Sequence, residues 1–296
     1  MINNIRFDIY FEFYPCYTVL GGDTMNTKLS QLPSPALAGV VKATNAARAI
    51  ADIRNCYYGG ATMIDLHMSC LDKNDDKTLK SIIDSSPLPI LALNYNITFE
   101  KTNAGFSEEE RAELFLRAAS VGAAGVDIQA YTFDIDSKMN FIGEDKYSFT
   151  KGNPREVVTD ETVISKQCEL IEKVHATGAE VLLSCHPAIP MNTEQVVDLA
   201  LYLEKRNPDI IKIVTLAKTE EDLYESIRAM TVLKREVKTP VAYHATGKAG
   251  IPSRIINPLL GGHIAFCVEH YDEASDINQL DLRMAKNIVE NVRKIK

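Results

Sequence analysis

The sequence has no apolar run long enough to span a bilayer as a helix, no CxxC pair and no Cys/His spacing of a metal centre. It also lacks a GxGxxG or GxxxxGK[ST] loop after a strand, and it lacks a long Lys/Arg cluster. These absences argue in turn against a membrane-embedded chain, a redox dithiol or zinc module, a nucleotide-binding doubly wound sheet, and a nucleic-acid binder. The N-terminus has neither a basic start nor a small-residue cleavage site, so cytoplasm is the expected compartment. The cysteines (Cys16, Cys56, Cys70, Cys168, Cys185, Cys267) are scattered and read as reduced, mostly buried thiols. A formal charge of −8 disfavours nucleic acid and anionic membranes as partners. An anionic substrate must then be held by specific cationic residues.

What remains is an ordinary globular composition, 46% apolar and 24% charged over 296 residues. Residues 1–24 stand apart, with a cluster of aromatics (Phe7, Tyr10, Phe11, Phe13, Tyr14, Tyr17) before Gly21-Gly22-Asp23 and Met25. They read either as an extra strand or cap packed on the domain, or, with Met25 as the natural start, as translated upstream sequence or a weakly ordered arm. The second reading is preferred because Asn26 to Pro35 is polar, like a lead-in. Residues 1–35 are thus expected to be an N-terminal extension, and residues 36–296 a single catalytic domain.

From Ala36 onward, short apolar runs alternate with longer amphipathic segments, the pattern of βα units. Eight such runs, at 36–41, 62–68, 88–94, 124–129, 179–185, 209–214, 240–244 and 262–267, predict an α/β fold of the (β/α)8 TIM barrel type. Ser107 with Glu110 and Asn192 with Gln195 have capping-box spacing, and Gly59-Gly60, Gly122 and Gly178 mark helix ends. Two long connections, 96–106 and 130–158, follow strand ends where barrel enzymes keep their active sites, and are expected to form walls or lids.

Within the run Pro208 to Ala217, Lys212 interrupts an otherwise apolar strand. A buried ammonium must be paired, face a polar cavity, or lose its proton, and a neutral buried lysine attacks ketones to form a Schiff base. Other polar residues fall at matching strand ends: Asp65 and His67 on one face of strand two, Tyr95, Gln129, His186 and His244. A metal site built from Asp65, His67, His186 and His244 is the weaker reading, because these residues lack HxH or HExxH spacing. The segment Gly247-Lys248-Ala249-Gly250-Ile251-Pro252-Ser253-Arg254 is expected to lead into a short helix. Its glycines would permit close backbone approach to a ligand, and Arg254 would offer a fork suited to a carboxylate.

The order Ser184-x-His186, Asp209-Ile-Ile-Lys212-Ile, Gly247-x-x-Gly250-x-x-Ser253-Arg254, Gly261-Gly262 and Ser275-x-x-x-Gln279 resembles the type I 3-dehydroquinate dehydratases. That resemblance implies a cofactor-free (β/α)8 lyase of the shikimate or quinate pathway that works through a lysine imine, with a homodimer as the expected assembly. It implies Lys212 as the Schiff-base lysine, His186 as general acid/base and Arg254 as carboxylate anchor, with Ser275 and Gln279 on a closing loop. Asp65, His67 and Tyr95 are expected to contact the substrate. The chain also departs from the family's pattern. Asp65-Leu66-His67 stands where Glu-x-Arg is usual, Tyr95 replaces an arginine with no Glu-Gly-Gly after it, and Asp127-Ile128-Gln129 replaces Asp-x-Glu. Pro187 follows His186, and Glu100 is a candidate for the carboxylate that assists it. Three functions are therefore weighed: dehydration of 3-dehydroquinate or a related carboxylated keto-compound, a Schiff-base aldolase, and a noncatalytic ligand-binding paralogue.

Overall fold

A computed structural model of the chain describes residues 27–95, 106–134, 158–187, 189–272 and 278–295. Eight parallel strands alternate with helices: β1 (Ala36–Val41), α1 (Ala46–Gly59), β2 (Met63–His67), α2 (Asp76–Asp84), β3 (Ile90–Leu93), α3 (Glu108–Ser120), β4 (Gly125–Gln129) and α4 (Glu161–His175), then β5 (Glu180–Cys185), α5 (Thr193–Glu204), β6 (Ile210–Leu216), α6 (Glu220–Glu236), β7 (Val241–Thr246), α7 (Ser253–Leu259) and β8 (Ile264–Val268). A two-residue strand, β9 (Leu280–Asp281), adds to β8 before α8 (Leu282–Arg293). Each apolar run expected from the sequence is a strand. The helices begin where short polar side chains can accept the first free N–H groups, and both expected capping boxes form, at Ser107/Glu110 and Asn192/Gln195.

The ladder runs β7-β6-β5-β4-β3-β2-β1-β8-β9, so β1 pairs with both β2 and β8 and the sheet curls round on itself. Among the described residues β7 and β8 share no ladder. The seam between them is closed by the His263 N–H donating to the Val241 carbonyl at 2.9 Å.

Both faces of each strand are buried, which is why the strands read as near-continuous apolar runs. The two-residue period still sorts them. Ile64, Leu66, Val126, Ile128, Val181, Leu183, Ile211 and Ile213 face the helices in one cluster. Ala36, Ala38, Met63, Leu91, Leu182, Ile210, Ala242, Ile264 and Phe266 fill the barrel interior in another.

Leu29 belongs to that interior cluster and plugs the N-terminal floor of the barrel. Its carbonyl accepts from His263 Nε2 at 2.8 Å, and the neighbouring Ser30 donates through both N–H and Oγ to the Glu180 carboxylate. A Cβ at Gly125 would lie 2.7 Å from the Leu29 side chain, so the plug dictates glycine there. Residues 27–35, within the segment expected to be an extension, therefore complete the barrel core. With the floor filled by apolar groups, polar interior residues collect at the C-terminal ends of the strands.

Candidate active site

Lys212 is the third residue of β6, and its neighbours Ile211 and Ile213 face outward into the helix layer. The alternation points Lys212 into the barrel, level with Ser184 on β5 and Ala242 on β7. It is 6% exposed. Its Nζ donates to Tyr95 Oη at 2.5 Å, lies 3.4 Å from Asp127 Oδ2, and sits over the Phe266 ring at 4.4 Å from the centroid. One carboxylate, one phenol and an aromatic face thus stand in for the water a buried ammonium has lost.

Tyr95 is the hub of this cluster. Its hydroxyl donates to Asp127 Oδ2 at 3.1 Å and lies 3.3 Å from His186 Nε2, and the two rings meet edge to face with centroids 5.3 Å apart. Burial, then the negative charges of Asp127 and Asp65, push the phenol well above its ordinary range. On the other side of Tyr95 is His67, whose Nε2 is 3.7 Å from Asp65 Oδ2, both side chains being buried.

His244, the fourth residue of β7, is held well below the ordinary imidazole range by burial and then by the charges of Arg254, Lys212 and His186. It is therefore neutral at pH 7. Arg254, buried in the first turn of α7, thus lies close enough to act on the same ring as Lys212. Ser253 fixes that turn by accepting from the Ala245 N–H at 2.8 Å and donating to the Gly250 carbonyl at 2.6 Å.

The glycines ahead of Arg254 have a different role from the expected one. A Cβ on Gly247, whose φ is +84°, would lie 2.7 Å from the Ala217 carbonyl oxygen, and one on Gly250 would lie 2.7 Å from that of Ala245. They allow the chain to pack on itself.

The structure thus brings together Lys212, His186, Tyr95, Asp65, His67 and Arg254. Ser275 and Glu100 lie outside the described residues. Gln279 does not join the cluster: it lines a small cavity with Val40, Cys56, Glu269 and His270, whose lining includes neither Lys212, His186 nor Arg254. Among the described residues no three His, Cys, Asp or Glu side chains are grouped to hold a metal ion.

Sequence reasoning undervalued two residues. Asp127, seen only as part of an altered motif, is the carboxylate facing Lys212. Arg111, on α3, is fully buried and donates to both Glu108 oxygens, twice to the Asn94 carbonyl, and to Gln129 Oε1. Gln129 in turn donates to the Asp127 carbonyl at 2.8 Å and to its carboxylate at 3.3 Å, so it supports Asp127. Asp65 Oδ1 and Ser184 Oγ are buried without a hydrogen-bond partner among the described residues, which leaves polar capacity inside the barrel for a bound molecule.

Residues 154–296 match the family model of type I 3-dehydroquinase. Over these residues, just under half of the chain, the sequence is similar to that family. It is 25% identical over 139 residues to a catabolic 3-dehydroquinate dehydratase of Acinetobacter baylyi, covering 47% of this chain and 49% of the relative. It is 23% identical over 134 residues to a 3-dehydroquinate dehydratase of Staphylococcus epidermidis, covering 43% and 55%. The aligned part is thus about half the length of these curated relatives.

Solved structures extend the likeness to the whole fold. The 3-dehydroquinate dehydratase of Geobacillus kaustophilus superposes with a TM-score of 0.70 at 14% identity, over 93% of this chain and 100% of that one. The type I enzyme of Clostridium difficile, with covalently modified comenic acid, gives 0.69 at 14% identity over 88% and 93%. At such identity the likeness establishes the (β/α)8 barrel. Among the described residues no helix is long and apolar enough to cross a membrane.

Proposed function

We propose that this type I 3-dehydroquinase relative is a hydro-lyase that removes water from 3-dehydroquinate, or from a related carboxylated cyclic ketone, through an imine on Lys212. The observation carrying this reading is the Lys212 amine, buried at the mouth of the barrel, in contact with Tyr95 and Asp127 and with His186 one hydrogen bond further on. The imine acts as an electron sink. His186 removes a proton from the carbon beside it, and the resulting enamine expels the hydroxyl two carbons from the imine carbon as water, on receipt of a proton. Arg254 binds the substrate carboxylate, and the buried Asp65 and Ser184 oxygens are available to substrate hydroxyls.

The departures bear on which ketone fits. Tyr95, His67 and Gln129 place less charge on the wall than the family's usual residues do. A site built to pair particular hydroxyls discriminates by orders of magnitude, so a ketone with fewer or differently placed hydroxyls is the nearest variation on this substrate.

The test is borohydride reduction in the presence of 3-dehydroquinate, followed by mass spectrometry, in the parent protein and in Lys212→Ala. The parent should gain a covalent adduct at Lys212 and release a dehydrated product, and the variant should do neither. Cleavage of a carbon–carbon bond would identify an aldolase. Tight ligand binding without adduct, unchanged in Lys212→Ala, would identify a binding module.

A further inference from the structure

We propose that Tyr95 is a catalytic residue that relays a proton from the Lys212 ammonium to the His186 imidazole. This rests on the Schiff-base reading and adds the step that makes the amine reactive. Only a neutral amine can attack a carbonyl, so an ammonium at Lys212 must first give up a proton. The proton therefore needs an exit. The Tyr95 oxygen is within hydrogen-bond reach of Nζ at 2.5 Å, of His186 Nε2 at 3.3 Å and of Asp127 Oδ2 at 3.1 Å.

The step balances as follows. One N–H bond of the ammonium breaks as its proton passes to Oη, while the phenol's own O–H bond breaks and that proton passes to Nε2. The phenol is regenerated, Lys212 is a neutral amine, and His186 is an imidazolium. The amine lone pair then forms the C–N bond, the carbonyl π pair moves onto oxygen, and a proton shifts from nitrogen to that oxygen to give the carbinolamine. His186 returns its proton to this hydroxyl, the C–O bond breaks, water leaves, and the nitrogen lone pair closes the iminium. The positive charge that began on Lys212 ends on the iminium.

Two features suit Tyr95 to this. Its phenol is held well above its ordinary range by burial and by Asp127 and Asp65, so it passes a proton on without accumulating charge. At rest the hydroxyl donates to Asp127; for the relay its O–H turns to His186 Nε2, also within reach, while Asp127 goes on facing the cation. A side chain with one proton and two lone pairs can accept and donate at once, whereas the arginine usual in the family at this position can only donate.

The experiment follows the rate of borohydride-trapped adduct at Lys212 in the parent and in Tyr95→Phe, using 3-dehydroquinate and, separately, glyoxylate as a minimal carboxylated carbonyl. The relay requires imine formation to slow by about 10²-fold in Tyr95→Phe with either probe. It also requires the parent's rate in H2O/D2O mixtures to bow below a straight line, because two protons move together. A variant within about threefold of the parent, or a linear dependence on deuterium fraction, overturns the relay. The solvent measurement uses the parent alone, so it decides even if Tyr95→Phe fails to fold. Adduct with glyoxylate but none with 3-dehydroquinate overturns the substrate assignment and leaves the relay to be judged on glyoxylate. Absence of adduct at Lys212 with both probes overturns both proposals.

Discussion

Replacing Arg111 by methionine should cost this protein about 4 kcal/mol of stability, because it breaks a buried ion pair from one side. The guanidinium is fully buried and all its described bonds are internal: two to Glu108 at 2.8 and 2.9 Å, two to the Asn94 carbonyl at 2.9 and 3.0 Å, and one to Gln129. Methionine fills much of the volume, so cavity formation is a minor part of the loss. The larger part is the Glu108 carboxylate, left 4% exposed without its guanidinium counter-charge, with the Phe133 N–H still donating to it at 3.1 Å. About 4 kcal/mol corresponds to a shift of roughly 10³ in the folding equilibrium.

If the stranded charge dominates, Arg111→Met with Glu108→Leu should recover more than half of the loss, since replacing both members of a buried pair by apolar groups is close to neutral. Urea denaturation of the parent, both single variants and the double variant gives the coupling directly. A loss below about 1 kcal/mol in Arg111→Met, or a double variant no more stable than the single, would refute the reasoning. The same network holds Asn94, which precedes Tyr95, and Gln129, which braces Asp127, so Arg111→Met should also slow adduct formation at Lys212.

Two further outcomes follow from buried titratable groups. Burial holds His244 well below its ordinary range and also lowers His263, so below about pH 6.5 the unfolded chain binds protons that the folded chain refuses. Stability should therefore be level above that pH and fall as the pH drops towards 5. His263→Gln should flatten the slope in urea midpoints, and a midpoint that rises on acidification would contradict it. Cys56 and Cys267 are pushed up to about 12 by burial, whereas Cys70 and Cys168 are partly exposed. Iodoacetamide at pH 8 should label Cys70 and Cys168 of the folded protein ahead of Cys56 and Cys267, as peptide mass mapping would show; rapid labelling of Cys56 or Cys267 would contradict the assigned burial.

The barrel was legible because parallel strands buried on both faces leave unmistakable runs of apolar residues, and because Ser107, Asn192 and Gly60 punctuate helices by local chemistry. Lys212 was legible for the same reason: an ammonium inside such a run conflicts with its surroundings. What escaped the sequence depends on contacts between distant elements. Leu29 reads as one leucine in a polar lead-in, and nothing local shows that it fills the barrel floor against Gly125. Arg111 sits in a charged stretch of α3 that reads as a solvated helix face, and its burial becomes visible only once Asn94 and Gln129 are placed beside it. The glycines at 247 and 250 were read as leaving room for a ligand, yet the room is taken by the carbonyls of Ala217 and Ala245.

The altered wall residues make sense together once these contacts are known. Against the pattern the family resemblance implies, tyrosine in place of an arginine at position 95 removes a cation beside Lys212, and glutamine in place of a glutamate at 129 removes an anion. These two changes offset each other in charge. Gln129 then directs its carbonyl oxygen to Arg111 and its amide to Asp127, which a carboxylate there could not do, and Asp127 is left as the anion in contact with Lys212. The substitutions that set this chain apart from its relatives therefore converge on one lysine, exchanging a fixed positive neighbour for a hydroxyl that can both give and take a proton. On the proposed imine mechanism, that changes how the amine would be readied for attack and leaves Arg254 in place as the proposed carboxylate anchor.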